Sequence, residues 1–178
     1  MLSTSKLPYL HAVLNEGMRM YPPAVATFPR TVPGHGEMIE GQWVPGGVSI
    51  FGNSNSGAHH ANKATQIAAG VHHLSAYHSP VNWARADEFL PERCIDYEDE
   101  KSDFHSDKRG ALQPFSYGPR NCLGKGMAWA EMNIIMAKLL FSFDMVLDES
   151  SKDWTKQKIY LVWEKKPLLV SLTAVERL

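Results

Sequence analysis

The chain has 178 residues, of which 44% are hydrophobic, enough for one domain with a buried core. A formal charge of -1 supplies no net field to draw nucleic acid or an anionic membrane surface, so neither is an expected partner. Two cysteines far apart, Cys94 and Cys122, make neither a disulfide framework nor a zinc ribbon, and a reducing compartment is the default.

Pro8 suits the first turn of a helix, and Leu10, Val13, Leu14, Gly17 and Tyr21 recur at helical spacing until Pro22 and Pro23 stop the pattern. This predicts a helix from Leu7 to Met20, with Glu16 and Arg19 as neighbours on it. From Ala24 to Ile50, short extended pieces punctuated by Pro33, Gly34, Gly36, Gly41 and Pro45-Gly46-Gly47 predict short strands or a small hairpin. Residues 51–69, FGNSNSGAHHANKATQIAA, hold neither period and read as a flexible insert, longer than the usual connection in a compact domain. Acidic residues 96–103 and the following Lys108-Arg109-Gly110 read as a solvated loop. Leu123, Met127, Ala130, Ile134, Ala137 and Phe141 then form a stripe that predicts a long helix with one buried face. IYLVWE and LLVSLT, separated by Lys165-Lys166-Pro167, read as two strands paired in a C-terminal hairpin. The opening residues show neither a signal-peptide pattern nor an anchor, and no apolar run reaches the ~20 residues of a spanning helix.

The stretch PFSYGPRNCLG, residues 114–124, places Cys122 just before the long helix. Unpaired backbone N–H groups and the positive end of the helix dipole suit a soft, negatively charged sulfur ligand there. Gly118 and Gly124 let the backbone bend and approach a flat partner, and Pro119 stiffens the turn. Arg120 stands where it can hold a carboxylate of that partner, while Phe115 shields the sulfur from water. A flat, dianionic, metal-bearing ligand meets these demands, and haem is the obvious one. The alternative is a loop cysteine with no ligand.

The pattern F-x-x-G-x-R-x-C-x-G, filled by Phe115, Gly118, Arg120, Cys122 and Gly124, resembles the haem-thiolate loop of the cytochrome P-450 monooxygenases. Two further marks fall in the right order: E-x-x-R as Glu16 and Arg19, and P-E-R as Pro91, Glu92 and Arg93. The resemblance runs from about Leu7 to the C-terminus except for the insert, and the wording is similar to fungal secondary-metabolism members such as the trichothecene-pathway hydroxylases. It implies a mixed, mainly α fold with small β-sheets, the C-terminal fragment of the family's fold and a single partial domain over residues 1–178. It further implies haem b with Cys122 as axial thiolate to the iron, a second propionate contact at Arg30, and Glu16, Arg19 and Arg93 as a structural ion-pair network. Implied partners are an NADPH-dependent reductase, with Lys125 on a basic docking surface or merely solubilising, and a small apolar substrate. The localisation of this chain is left open, while its full-length relatives resemble endoplasmic-reticulum membrane proteins facing the cytosol.

The resemblance also implies parts that this sequence does not contain. No [AG]-G-x-[DE]-T pattern of the oxygen-activating helix occurs in it, so two outcomes stand side by side: a monooxygenase, or a truncated fragment without stable haem binding. The flanks of the insert would rejoin as VPGGVS and GVHHLSAYHSP, and the expectation is retained intron sequence, with the short start reflecting a gene-model error or a degenerate gene. Cys94 stands where the family usually has an aromatic and reads as a small filler. His59, His60, His72, His73 and His78 lack zinc-ligand spacing and read as solvated loop histidines.

Overall fold

A computed structural model describes residues 6–26, 30–39, 41–47, 49–50, 71–160 and 162–176. The insert at 51–69 lies outside the described residues. Helix α1 spans Pro8–Met20, with proline in its first turn, where the ring removes an N–H that has no helical partner. Its end is fixed by Tyr21, which stacks on Trp163 with ring centroids 4.3 Å apart and donates to Gln157 at 2.8 Å.

Four short strands follow: β1 (Arg30–Thr31), β2 (Glu37–Ile39), β3 (Gln42–Val44) and β4 (Ser49–Ile50). β1 pairs antiparallel with β4, and β2 with β3 in the register Glu37–Val44, Met38–Trp43 and Ile39–Gln42. Val32 and Val44 form a small core beside Ile39. Helix α2 (His73–Tyr77) comes next, then a run of short 3-10 turns, among them Pro91–Cys94 and Gly118–Arg120.

The long helix α3 covers Lys125–Ser142, and β5 (Phe143–Leu147) continues directly from it. Here two expectations are corrected. LLVSLT does lie largely in a strand, β6 (Val170–Ala174), but its partner is β5, from Phe143 opposite Ala174 to Leu147 opposite Val170. Among the described residues, IYLVWE contributes only an isolated bridge between Ile159 and Trp163. A long-range pair therefore replaces the expected local hairpin.

The α3 stripe is the second correction. Leu123 is 103% exposed, Met127 69% and Ile134 50%, so the predicted buried face is turned outward. The inward face carries Trp129, within ring-contact range of His11 on α1 and of Phe115, and the buried Asn133. At 100° per residue, the stripe lies about a third of a turn from these two residues. Both faces of α3 are apolar, and the 3.6 period cannot say which one meets α1.

Candidate functional site: the ion-pair network and the cysteine loop

Among the described residues, three charged side chains stand with Tyr77 as the largest fully buried ones: Arg19 is 0% exposed, and Glu16 and Arg93 are each 1% exposed. Helical spacing sets Glu16 and Arg19 on one face of α1, and Arg93 reaches them from the Pro91–Cys94 turn. Arg19 grips Glu16 through two bonds, Nε to Oε2 at 2.9 Å and Nη2 to Oε1 at 2.8 Å. Arg93 Nε donates to Glu16 Oε1 at 3.0 Å, and the Leu90 amide does the same at 3.0 Å.

The remaining guanidinium hydrogens of Arg19 are spent mainly on main chain, with the Met20 sulfur as a further acceptor at 2.8 Å. Arg19 donates to the carbonyls of Tyr77 at 2.6 Å, Ala86 at 2.7 Å and Glu88 at 2.9 Å. Three charges are tolerable in such a place only when nearly every donor and acceptor is matched, as it is here. Burial is the largest single influence on Glu16 and pushes its pKa up. The Arg19 bonds, the Leu90 amide and the two guanidinium charges together outweigh burial and hold it below its ordinary 4.5.

Sequence reasoning missed Asp107. Its carboxylate takes Arg93 Nη1 at 2.6 Å and the Ala84 amide at 2.7 Å, and the residue is buried. The stretch read as a solvated loop thus sends one carboxylate inward, with Phe104 buried beside it and its ring 4.8 Å from the Arg93 guanidinium. One signal could have found Asp107: Arg93 has more donors than Glu16 can accept.

Three of the histidines also differ from the expectation. His72 caps α2 by accepting from the Ser75 amide, His73 bonds the Ala24 carbonyl, and His78 bridges Asp87 and the Met20 carbonyl. His59 and His60 lie outside the described residues. Among the described residues, no group of three or more His, Cys, Asp or Glu side chains could hold a metal ion.

The cysteine loop sits at the head of α3. The Cys122 amide donates to the Phe115 carbonyl at 2.8 Å, closing the loop into a fixed turn. Ser116 has φ 63° and Gly118 φ 79°, both left-handed. Gly118 adopts this at no steric cost, whereas Ser116 does so at some strain. A Cβ built on Gly118 would meet nothing within 4 Å, and one on Gly124 only the Cys122 sulfur at 3.8 Å. Cys122 and Arg120 are both exposed, and Arg120 has no carboxylate partner among the described residues. Phe115 is half-buried, its ring centroid 6.3 Å from that of Trp129. The loop thus presents a thiol, a free guanidinium and open space before a bare stretch of backbone, a donor set that suits haem.

Tyr77 joins the two regions, because its carbonyl takes Arg19 and its hydroxyl accepts the Gln113 amide at 2.9 Å, just before the loop. The described part of Arg30 is its backbone in β1, paired with Ile50. Cys94 is half-buried near Arg109, whose guanidinium donates to the Arg93 carbonyl.

The cytochrome P-450 family model matches residues 1–172. The chain belongs to the cytochrome P-450 family. It is 51% identical over 168 residues to the monooxygenase alt3 of Alternaria solani, covering 94% of this chain and 29% of that protein. To the monooxygenase astJ of Aspergillus oryzae it is 46% identical over 171 residues, covering 96% of this chain and 30% of that protein. The chain thus spans about 30% of the length of these curated relatives. Another Aspergillus oryzae protein, the monooxygenase oryQ, is 43% identical, and the match covers 86% of this chain and 78% of that protein. Among solved structures, retinoic acid-bound cyanobacterial CYP120A1 superposes with a TM-score of 0.70 at 23% identity, over 97% of this chain and 34% of that one. The chain has a partial P-450 fold. Members of the family carry haem, draw electrons from reductases and act on apolar substrates.

Proposed function

We propose that this chain is the haem-binding C-terminal part of a monooxygenase that inserts one oxygen atom from O2 into a small apolar substrate. One observation carries the reading: an exposed thiol, on a loop closed by the Cys122–Phe115 hydrogen bond, stands at the head of α3 beside two glycines whose front is open. Cys122 would hold haem iron as a thiolate, Arg120 and Arg30 would take the propionates, and Phe115 would keep water from the sulfur. Haem, when bound, supplies the redox chemistry of oxygen activation. The chain's own task is positioning: Glu16, Arg19 and Arg93 hold α1 against the turns that lead into the loop. Electrons would come from an NADPH-dependent reductase, and the whole enzyme would sit at the endoplasmic-reticulum membrane facing the cytosol.

A second reading is favoured by the exposure of residues 117–127, which leaves the loop uncovered on its outer side. In that reading the chain as given binds haem weakly and does not turn over. The reduced, carbon monoxide-treated difference spectrum separates the two. A strongly red-shifted Soret band that vanishes in Cys122→Ala supports ligation, and a band that persists in this variant refutes the ligand assignment.

A further inference from the structure

Among the described residues, two buried side-chain atoms have no hydrogen-bond partner in the protein: His11 Nε2 on α1 and Asn133 Oδ1 on α3. Both belong to the α1–α3 contact. One turn before His11, Leu7 shares an apolar groove with Ala137, and Asn133 stands one turn before Ala137. The His11 ring centroid lies 6.0 Å from that of Trp129, one turn before Asn133, so His11 sits at the level of Asn133. Asn133 is 6% exposed, and its amide nitrogen donates to the Trp129 carbonyl at 2.8 Å, which fixes the amide orientation and leaves Oδ1 as an acceptor without a donor. A buried polar atom left unmet carries its full desolvation cost, so two of them in one interface call for a shared partner.

We infer that His11 and Asn133 form a binding site for one water molecule, which bridges Nε2 to Oδ1 across the α1–α3 interface and makes His11 a positioning residue for the cysteine loop. The two atoms make no bond to each other, and two polar partners are the least that a buried water takes. Water serves either imidazole tautomer, since it can accept from Nε2–H or donate to a bare Nε2 while donating to Oδ1. A bridged Asn133 holds the Trp129 turn of α3 against α1. The Trp129 ring centroid in turn stands 6.3 Å from that of Phe115, whose carbonyl takes the Cys122 amide. This route is distinct from the one through Arg19 and Tyr77, which enters the loop at Gln113. None of it depends on haem ligation.

The test uses the full chain without haem. Water should give a nuclear Overhauser effect to the His11 ring protons in the parent, and Asn133→Leu should abolish it. His11→Leu and Asn133→Leu should each lower the folded-to-unfolded ratio by about fivefold or more in urea unfolding, since each strands the other atom. The double variant should lose no more than the worse single one, because replacing both members by apolar groups strands nothing. His11→Leu should also shift the Phe115 ring resonances while leaving those of the stacked Tyr21 and Trp163 in place. Absence of the water signal in the parent, single variants as stable as the parent, or additive losses overturn the site. Unmoved Phe115 resonances in His11→Leu overturn the positioning role. The parent measurement decides the site even where a variant fails to fold.

Discussion

Arg19 and Tyr77 connect the buried ion pairs to the cysteine loop: the guanidinium donates to the Tyr77 carbonyl at 2.6 Å, and the Tyr77 hydroxyl accepts the Gln113 amide at 2.9 Å. Burial pushes the Tyr77 hydroxyl up to about 12, so it remains a neutral partner across the working pH range. Tyr77→Phe keeps the ring and strands the Gln113 N–H. The expected cost is about 1–3 kcal/mol in urea unfolding, with faster amide exchange at Gln113 and Cys122. Unchanged exchange at both amides would show that the loop is held without Tyr77.

Removing Arg19 takes one of two guanidinium partners from the buried Glu16 carboxylate, leaving Arg93 and the Leu90 amide, and uncovers three main-chain carbonyls. Arg19→Ala should destabilise by roughly 3–5 kcal/mol, a large share of the stability of an ordinary domain. Arg19→Lys should rescue little, because an ammonium cannot span Glu16 and three carbonyls at once. Equilibrium denaturation of the two variants decides the matter, and a lysine variant as stable as the parent would contradict it.

How far these relationships could be read in advance depends on their range along the chain. Helix α1 and the pairing of Glu16 with Arg19 are local, and an i,i+3 spacing is written in the sequence. Asp107 stands among exposed acids, and nothing in its neighbours separates it from them; only the spare donors of Arg93 do so. The pairing of β5 with β6 was hidden because FDMVL follows the helix without a turn signal, while IYLVWE offered a nearer partner. For α3 the period was right and the orientation wrong, since a stripe specifies a face but not what covers it.

Acid should loosen the network in a defined window. The folded pKa of Glu16 lies below its ordinary 4.5, so its carboxylate contributes stability above that value and loses it as pH falls through the folded pKa. Unfolding free energy should therefore decline below about pH 4.5, and Glu16→Gln should be less stable at neutral pH but show a shallower acid limb. Parallel acid limbs in the two proteins would assign the acid sensitivity to other carboxylates.

The two cysteines should differ sharply as nucleophiles. Burial pushes the Cys94 thiol up, with Arg109 and Arg93 opposing and Glu16 reinforcing that rise, so little thiolate is present at neutral pH. Cys122 is exposed. A neutral alkylating reagent should modify Cys122 at least tenfold faster than Cys94, as read by peptide mass analysis, and added haem should protect Cys122 alone. Protection of Cys94 instead would move the haem contact to the Pro91–Cys94 turn.

Arg120 tests the haem cradle independently of the sulfur. It is exposed beside the loop with no carboxylate partner among the described residues, so its removal should leave the fold unchanged while withdrawing one charge-assisted contact to a propionate. Such a contact is worth about 1.5–3 kcal/mol, which corresponds to a tenfold or greater loss of haem affinity in Arg120→Ala by spectroscopic titration. Arg120→Lys should recover part of the loss, because it restores the charge without the paired geometry. Equal affinity in all three proteins would place the propionates elsewhere, and an unfolded Arg120→Ala variant would make the side chain a structural element of the loop instead.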